Sequence, residues 1–193
     1  DDKLHRVVAI KVLSPPLAAV ESARRRFVRE ARASAAVTHD HVIAIYAVED
    51  AGPLPYLVMQ FIDGPTLQAK LDRTGPLPLA EVLRIGIQTA TGLAAAHAQG
   101  LVHRDVKPGN ILLENGVERV KLTDFGLARA PDDGSLTAPG VIAGTPAYMS
   151  PEQADGGAVD RRSDLFSLGS VLYVLCTGRT PFGADTALAV LRR

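Results

Sequence analysis

Residues 7–13, VVAIKVL, alternate between two sets of side chains with a period of two. That pattern predicts a strand, with Ala9, Lys11 and Leu13 on one face and Val8, Ile10 and Val12 on the other. Ser14-Pro15-Pro16 ends it. From about residue 21 to residue 37 the period becomes helical. Ala23, Phe27, Glu30, Ser34 and Val37 recur at spacings of four and three, so they share one face. Arg24, Arg25, Arg26, Arg29 and Arg32 lie mostly off it, as a solvated surface would. Glu30 therefore sits in the inward stripe, where a carboxylate is costly unless it is paired. Lys11 is the nearest plausible partner in the sequence.

Residues 38–50 and 54–60 read as two strands joined by a turn at Gly52-Pro53. A short helix is predicted over 67–72 and a long one over 79–98, with Gly100 suited to its C-terminal cap. Leu83, Ile87, Ala90, Ala94 and His97 mark one side of the long helix, and His97 reads as a packed or helix-end histidine rather than a ligand. A strand is predicted over 120–123. Residues 130–141 are rich in Pro, Gly, Asp, Ser and Thr and predict a loop. Residues 165–176 are apolar nearly all round, which predicts a buried helix ending near Gly178, and 187–193 start another.

A chain of 193 residues can bury a sizeable core in at most two lobes. At 47% hydrophobic and 22% charged it is globular rather than disordered. Lys plus Arg and Asp plus Glu number 21 each, so the formal charge is zero and nothing supports bulk attraction to nucleic acid or to a membrane. Cys176 is the only cysteine, which excludes an internal disulfide and fits a reducing cytosol. No signal-peptide pattern opens the sequence, and the longest apolar run is too short to span a bilayer.

The chemistry concentrates in residues 103–126. His103-Arg104-Asp105 is followed by Lys107 and Asn110, then by the apolar run Ile111-Leu112-Leu113, a turn at Glu114-Asn115-Gly116, and Asp124-Phe125-Gly126. An aspartate near a turn usually caps or solvates, and a lysine beside a proline usually faces water. The joint spacing is what defeats those bland readings. It matches the catalytic loop H-R-D-x-x-x-x-N and the metal-binding D-F-G of protein kinases. The chain resembles a Ser/Thr protein kinase domain, most closely the eukaryotic-like (Hanks-type) kinases of bacteria.

The resemblance implies an α+β, two-lobed kinase fold, present in part. A β-rich N-lobe with one long helix would span 1–59, a hinge 60–64, and a mainly helical C-lobe 65–193. It implies ATP-dependent phosphoryl transfer to protein serine and threonine hydroxyls. Asp105 would accept the hydroxyl proton and Lys107 would neutralise the γ-phosphate. Asn110 and Asp124 would ligate Mg²⁺, with Mn²⁺ as a substitute. Lys11, paired with Glu30, would hold the α- and β-phosphates. Ala9, Met59 and Leu112 would line the adenine site, and the backbones of Gln60 and Ile62 would bond the adenine edge. Lys107 and Thr145 are the Ser/Thr-type signals. Ser150-Pro151-Glu152 stands where the family has A-P-E. Thr137, with Ser135 second, is the expected autophosphorylation site, with Arg104 as the phosphate's partner. Asp164 would hold the backbone around His103 and Arg104.

The family's glycine-rich loop should lie before Lys3, and its last helices after Arg193, including an arginine that pairs with the glutamate matching Glu152. The chain is therefore expected to be truncated at both ends, with weak ATP binding and poor solubility by itself. The expected location is cytoplasmic, within a parent protein that many relatives anchor by one membrane helix. Protein substrates are the expected partners, with an N-lobe homodimer as a further one. Two other readings stand beside this one. The first is an inactive pseudokinase or regulatory binding module. The second is a kinase of small molecules, against which the peptide-binding signals around Thr145 and Ser150-Pro151-Glu152 argue.

Overall fold

A computed structural model describes residues 1, 5–115, 119–126 and 146–182. β1 (Val8–Val12) forms where the period of two predicts it. It pairs antiparallel with β3 (Tyr56–Gln60), which also pairs with β2 (Ile45–Glu49), giving the order β1-β3-β2. β2 is shorter than the sequence suggests: the residues before it pair elsewhere, Val42 bridging to Leu122, and a register shift lies between Ile45 and Ala47. A short helix missed by the sequence pattern, α1 (Pro15–Ala18), follows the proline pair, whose fixed φ suits a first helical turn.

α2 (Glu21–Ala35) buries Ala23, Phe27, Val28, Ala31 and Ser34. Phe27, Val28 and Ala31 form a small core with Leu13, Ala18 and Leu57 beneath the sheet. Arg24, near the start of α2, clamps the β2–β3 turn. Its guanidinium donates to the carbonyls of Pro53 at 2.9 Å, Asp50 at 2.9 Å and Gly52 at 3.0 Å. Arg25 pairs with Glu21 and Arg32 with Asp50 on the surface.

The larger core lies among α3 (Leu67–Thr74), α4 (Leu79–Ala98), the hairpin of β4 (Ile111–Glu114) and β5 (Arg119–Leu122), and α6 (Arg161–Thr177). The short α5 (Pro151–Ala154) precedes α6. α4 buries Val82, Ile85, Thr89, Leu93 and Ala96, whereas Leu83 and Ile87 lie on its exposed side. A helix apolar on most sides presents two stripes of equal period, and tertiary packing selects between them.

α6 departs further from its sequence pattern. Leu165 and Tyr173 are exposed, while Ser163, Asp164, Ser167 and Ser170 are buried with Leu168, Val171, Val174 and Leu175. The polar groups face inward because they hold backbone elsewhere: Ser167 donates to the Tyr148 carbonyl at 2.7 Å. Gly178 caps α6 in the left-handed region, its N–H reaching the Val174 carbonyl at 2.8 Å.

Residues 63–65 are laid on the β4 hairpin. Leu113 N–H donates to the Pro65 carbonyl at 2.9 Å, and Asn115 N–H to the Asp63 carbonyl at 2.7 Å. Contact is so close at Gly64 that a Cβ there would stand 1.8 Å from the Leu113 carbonyl oxygen. Backbone cannot yield as a flexible side chain would. Gly64→Ala is expected to destabilise the protein by about 1–3 kcal/mol through overpacking, read as a lower denaturant midpoint with an unchanged m-value.

Candidate active site

β5 and the long α4 deliver the two motifs to one place. Leu122 is tied across to the segment just before β2: its N–H donates to the His41 carbonyl at 2.8 Å, and Ile43 N–H donates to its carbonyl at 2.9 Å. Thr123 and Asp124 follow directly. On the other side, α4 ends at Ala98, and Gly100 takes the positive φ (73°) that turns the chain toward His103.

The two motifs are stitched together by their own groups. Thr123 N–H donates to the Asn110 carbonyl at 3.1 Å, and Gly126 N–H to the His103 carbonyl at 3.0 Å. The His103 ring lies 4.4 Å from the Phe125 ring, both fully buried. His103 Nε2 bonds the Thr123 carbonyl at 3.0 Å, and the Asp105 N–H meets Nδ1 at 3.3 Å. The first contact requires a proton on Nε2 and the second a lone pair on Nδ1. The imidazole is thus neutral, with both nitrogens used.

Burial pushes the pKa of His103 below its ordinary 6.5, outweighing the raising effect of the Asp164, Asp105 and Asp124 carboxylates. The native ring then binds fewer protons than the unfolded one. Stability is full above the unfolded value of 6.5 and falls as the pH drops toward the folded value. We expect the unfolding free energy to decrease as the pH is lowered from 7.5 to 5.5, by at most about 1.4 kcal/mol per pH unit from this group, read from denaturant curves. His103→Phe should flatten that dependence.

Asp105 is the centre of a polar cluster. Its Oδ2 accepts from Lys107 Nζ at 2.7 Å and from Asn110 Nδ2 at 2.9 Å, and its carbonyl accepts from the same Nδ2 at 2.8 Å. Among the described residues nothing bonds Oδ1, and the side chain keeps 19% of its surface. Asn110 is buried in the helical turn Pro108–Asn110 with its amide N–H₂ committed to Asp105.

Lys11 Nζ pairs with Asp124 Oδ1 at 2.6 Å. Asp124 takes a left-handed backbone, with φ 65°, and this brings its carboxylate to the lysine. Glu30 lies against Gly126, its carboxyl carbon 3.4 Å from where a Cβ on that glycine would be.

Met59 and Ile62 cluster with Ile43, and Ala9, Ile45 and Leu112 pack against them. The sequence-predicted apolar residues Ala9, Met59, Ile62 and Leu112 are therefore neighbours. Gln60 has its N–H committed to the Ala44 carbonyl at 2.8 Å. Among the described residues no backbone bond engages Ile62. Thr145, Thr137 and Ser135 lie outside the described residues.

Asp164, one turn into α6, is buried and accepts from three donors: Arg104 N–H at 2.7 Å on Oδ1, His103 N–H at 2.8 Å on Oδ2, and His97 Nε2 at 2.7 Å on Oδ2. His97 thus acts through Asp164, a partnership its helix-end position in the sequence does not signal. Sequence reasoning also missed Gln153. Its Nε2 donates to the Arg104 carbonyl at 2.8 Å, and its Oε1 accepts from Ser150 N–H at 3.1 Å. The spacing Ser150-x-x-Gln153 at a helix start is the signal that could have found it. Ser163 Oγ donates to Glu152 Oε1, which, with Glu152's own N–H, holds that carboxyl below the usual range.

A family model described as protein kinase domain matches residues 1–192. Serine/threonine-protein kinase PknB of Mycobacterium leprae (strain TN) is 45% identical over 195 residues, covering 98% of this chain and 31% of that protein. Serine/threonine-protein kinase PknL of Mycobacterium tuberculosis (strain ATCC 25618 / H37Rv) is 47% identical over 190 residues, 98% of this chain and 47% of that protein. The chain thus spans less than half the length of either curated relative. The crystal structure of the M. tuberculosis PknI kinase domain superposes with a TM-score of 0.74 at 34% identity, over 93% of this chain and 65% of that one.

Proposed function

The chain belongs to the protein kinase domain family, matched over residues 1–192, and on that premise we propose that it carries the phosphoryl-transfer centre of a serine/threonine protein kinase. The observation that supports this most is the Asp105 cluster. One carboxylate oxygen is held by Lys107 and Asn110 while the other has no partner among the described residues. A substrate hydroxyl can donate to that second oxygen and lose its proton there as attack proceeds. Lys107, already beside Asp105, offsets charge on the transferred group.

ATP is the proposed phosphate donor. Ala9, Met59, Ile62 and Leu112 supply apolar surface for a base. The Gln60 carbonyl and the Ile62 backbone would bond its edge. Lys11 would turn from Asp124 to the α- and β-phosphates, with Glu30 steadying it.

The donor set fits a hard divalent cation. The side-chain carbonyl oxygen of Asn110 and the second carboxylate oxygen of Asp124 offer oxygen ligands only. Among the described residues no group of three or more His, Cys, Asp or Glu could hold a metal. Such a sparse set suits Mg²⁺, which keeps waters and takes phosphate oxygens, with Mn²⁺ as a substitute. Bound there, the cation would neutralise charge on the phosphates.

The same reading divides the chain into an N-lobe (1–59), a hinge (60–64) and a C-lobe (65–193). Thr145 would contact Asp105 and Lys107, Thr137 or Ser135 would be autophosphorylated, protein substrates are the partners, and a homodimer is a further association. A cytoplasmic location fits this chemistry. Among the described residues no helix is long and apolar enough to cross a membrane.

Incubating the full-length protein with Mg-ATP and a generic basic protein, followed by phosphoamino-acid analysis, tests the reading. Phosphoserine and phosphothreonine are expected, with phosphopeptides covering Thr137 or Ser135. Nucleotide binding without transfer would make it a regulatory binding module, and transfer only to sugars or small alcohols a small-molecule kinase.

A further inference from the structure

Arg104 holds an uncommon conformation for a non-glycine residue, with φ 67°. Such a backbone costs on the order of 1 kcal/mol and persists only where its surroundings determine it. Its N–H side is held by Asp164 Oδ1 at 2.7 Å. Its carbonyl is held by Gln153 Nε2 at 2.8 Å. That carbonyl belongs to the same rigid peptide plane as the Asp105 N–H. The plane's other contact is the Asp105 N–H to His103 Nδ1, at 3.3 Å a long bond. Gln153 is therefore the stronger of the two groups that set how this peptide is turned.

The Gln153 amide has one workable orientation. Nε2 must face the Arg104 carbonyl and Oε1 must face the Ser150 N–H, because the flipped amide would set oxygen on oxygen and N–H on N–H. The side chain is buried, so water does not substitute for either contact. Its two ends join two separate pieces of chain: the catalytic loop, and the segment from residue 146 to α5. Ser167, from α6, holds the same segment through the Tyr148 carbonyl.

We propose that Gln153 is a positioning residue that fixes the Arg104–Asp105 peptide, so that the aim of the Asp105 carboxylate depends on residues 146–154 being seated. The proposal deepens the protein-kinase reading above and rests on it for its kinetic consequence. It names a residue that touches neither nucleotide nor metal but decides whether Asp105 points at the hydroxyl. Displacing the segment and misaiming the base become one event.

Gln153→Met keeps length and removes both contacts, and Gln153→Glu keeps the acceptor for Ser150 N–H while losing the donor to Arg104. In the full-length protein both are expected to lower kcat for transfer to a basic protein about tenfold, with the KM for ATP within about twofold of wild type. Amide exchange should quicken at Arg104 and Asp105 and stay unchanged in α4. Unchanged kcat and unchanged exchange at those amides would overturn the proposal. So would a rise in ATP KM alongside faster exchange throughout, which marks general loosening. If the wild type transfers no phosphate to protein, the kinase reading falls, and the exchange at Arg104 and Asp105 still decides whether Gln153 holds the loop.

Discussion

Asp105→Asn is expected to lower phosphate transfer by about 10²–10⁴-fold, the usual worth of a positioned general base. The substitution is nearly isosteric, and the side chain retains some exposure, so folding should be preserved. What changes is the donor and acceptor pattern. Asp105 Oδ2 now accepts from both Lys107 and Asn110. An asparagine can present one oxygen to those donors, and its N–H₂ then faces the place from which a hydroxyl proton must leave. The amide has no basicity to accept that proton. Initial rates under saturating ATP, compared with nucleotide affinity measured separately, check this: kcat should collapse while ATP binding holds. Transfer within tenfold of wild type would remove Asp105 from the role of base.

The second large effect falls on stability as well as activity. Asp164→Ala is expected to destabilise the protein by about 3–5 kcal/mol, the range for removing one partner of a buried charged cluster. The carboxylate is 1% exposed and answers the N–H groups of His103 and Arg104 and the His97 ring. Alanine leaves the buried His103 N–H and the part-buried Arg104 N–H and His97 ring without an acceptor. Typical domains hold about 5–15 kcal/mol in all, so a large part of the margin would go. Asp164→Asn should be milder in stability but not neutral, because one of its two positions would turn N–H₂ toward a backbone N–H. Urea unfolding of the three proteins gives the order, and transfer assays below the unfolding transition should show both variants slower than wild type.

Much of the site could be read from residues 103–126, because its chemistry lies in one short stretch and its spacing is local. The helical and extended periods also placed α2, α3, α4 and α6 within a few residues of where they lie. What could not be read was decided by packing between distant elements. Lys11 meets Asp124, whose backbone is left-handed, and no periodicity in the sequence signals that contact. The buried face of α6 was illegible because Ser163, Ser167 and Ser170 count as polar in any hydropathy pattern. The Ser163 and Ser167 hydroxyls satisfy a carboxylate and backbone carbonyls, and that partnership exists only in three dimensions. Leu83 and Ile87 mislead for the converse reason, since an apolar helix does not announce which of its stripes faces in.

The Arg24 clamp constrains how α2 can move. Three carbonyls of the β2–β3 turn are held by one guanidinium near the start of the helix, so that end is fixed to the sheet. Glu30 stands six residues further along, about 9 Å at 1.5 Å per residue. A rigid rod pinned at one end turns about the pin, and displacement grows with distance from it. A small rotation of α2 would leave the arginine contacts intact and move Glu30, further from the pin, more than the residues around Arg24. The arginine is thus a pivot, and a tilt of α2 about it is felt at the Glu30 end of the helix rather than at the Arg24 end.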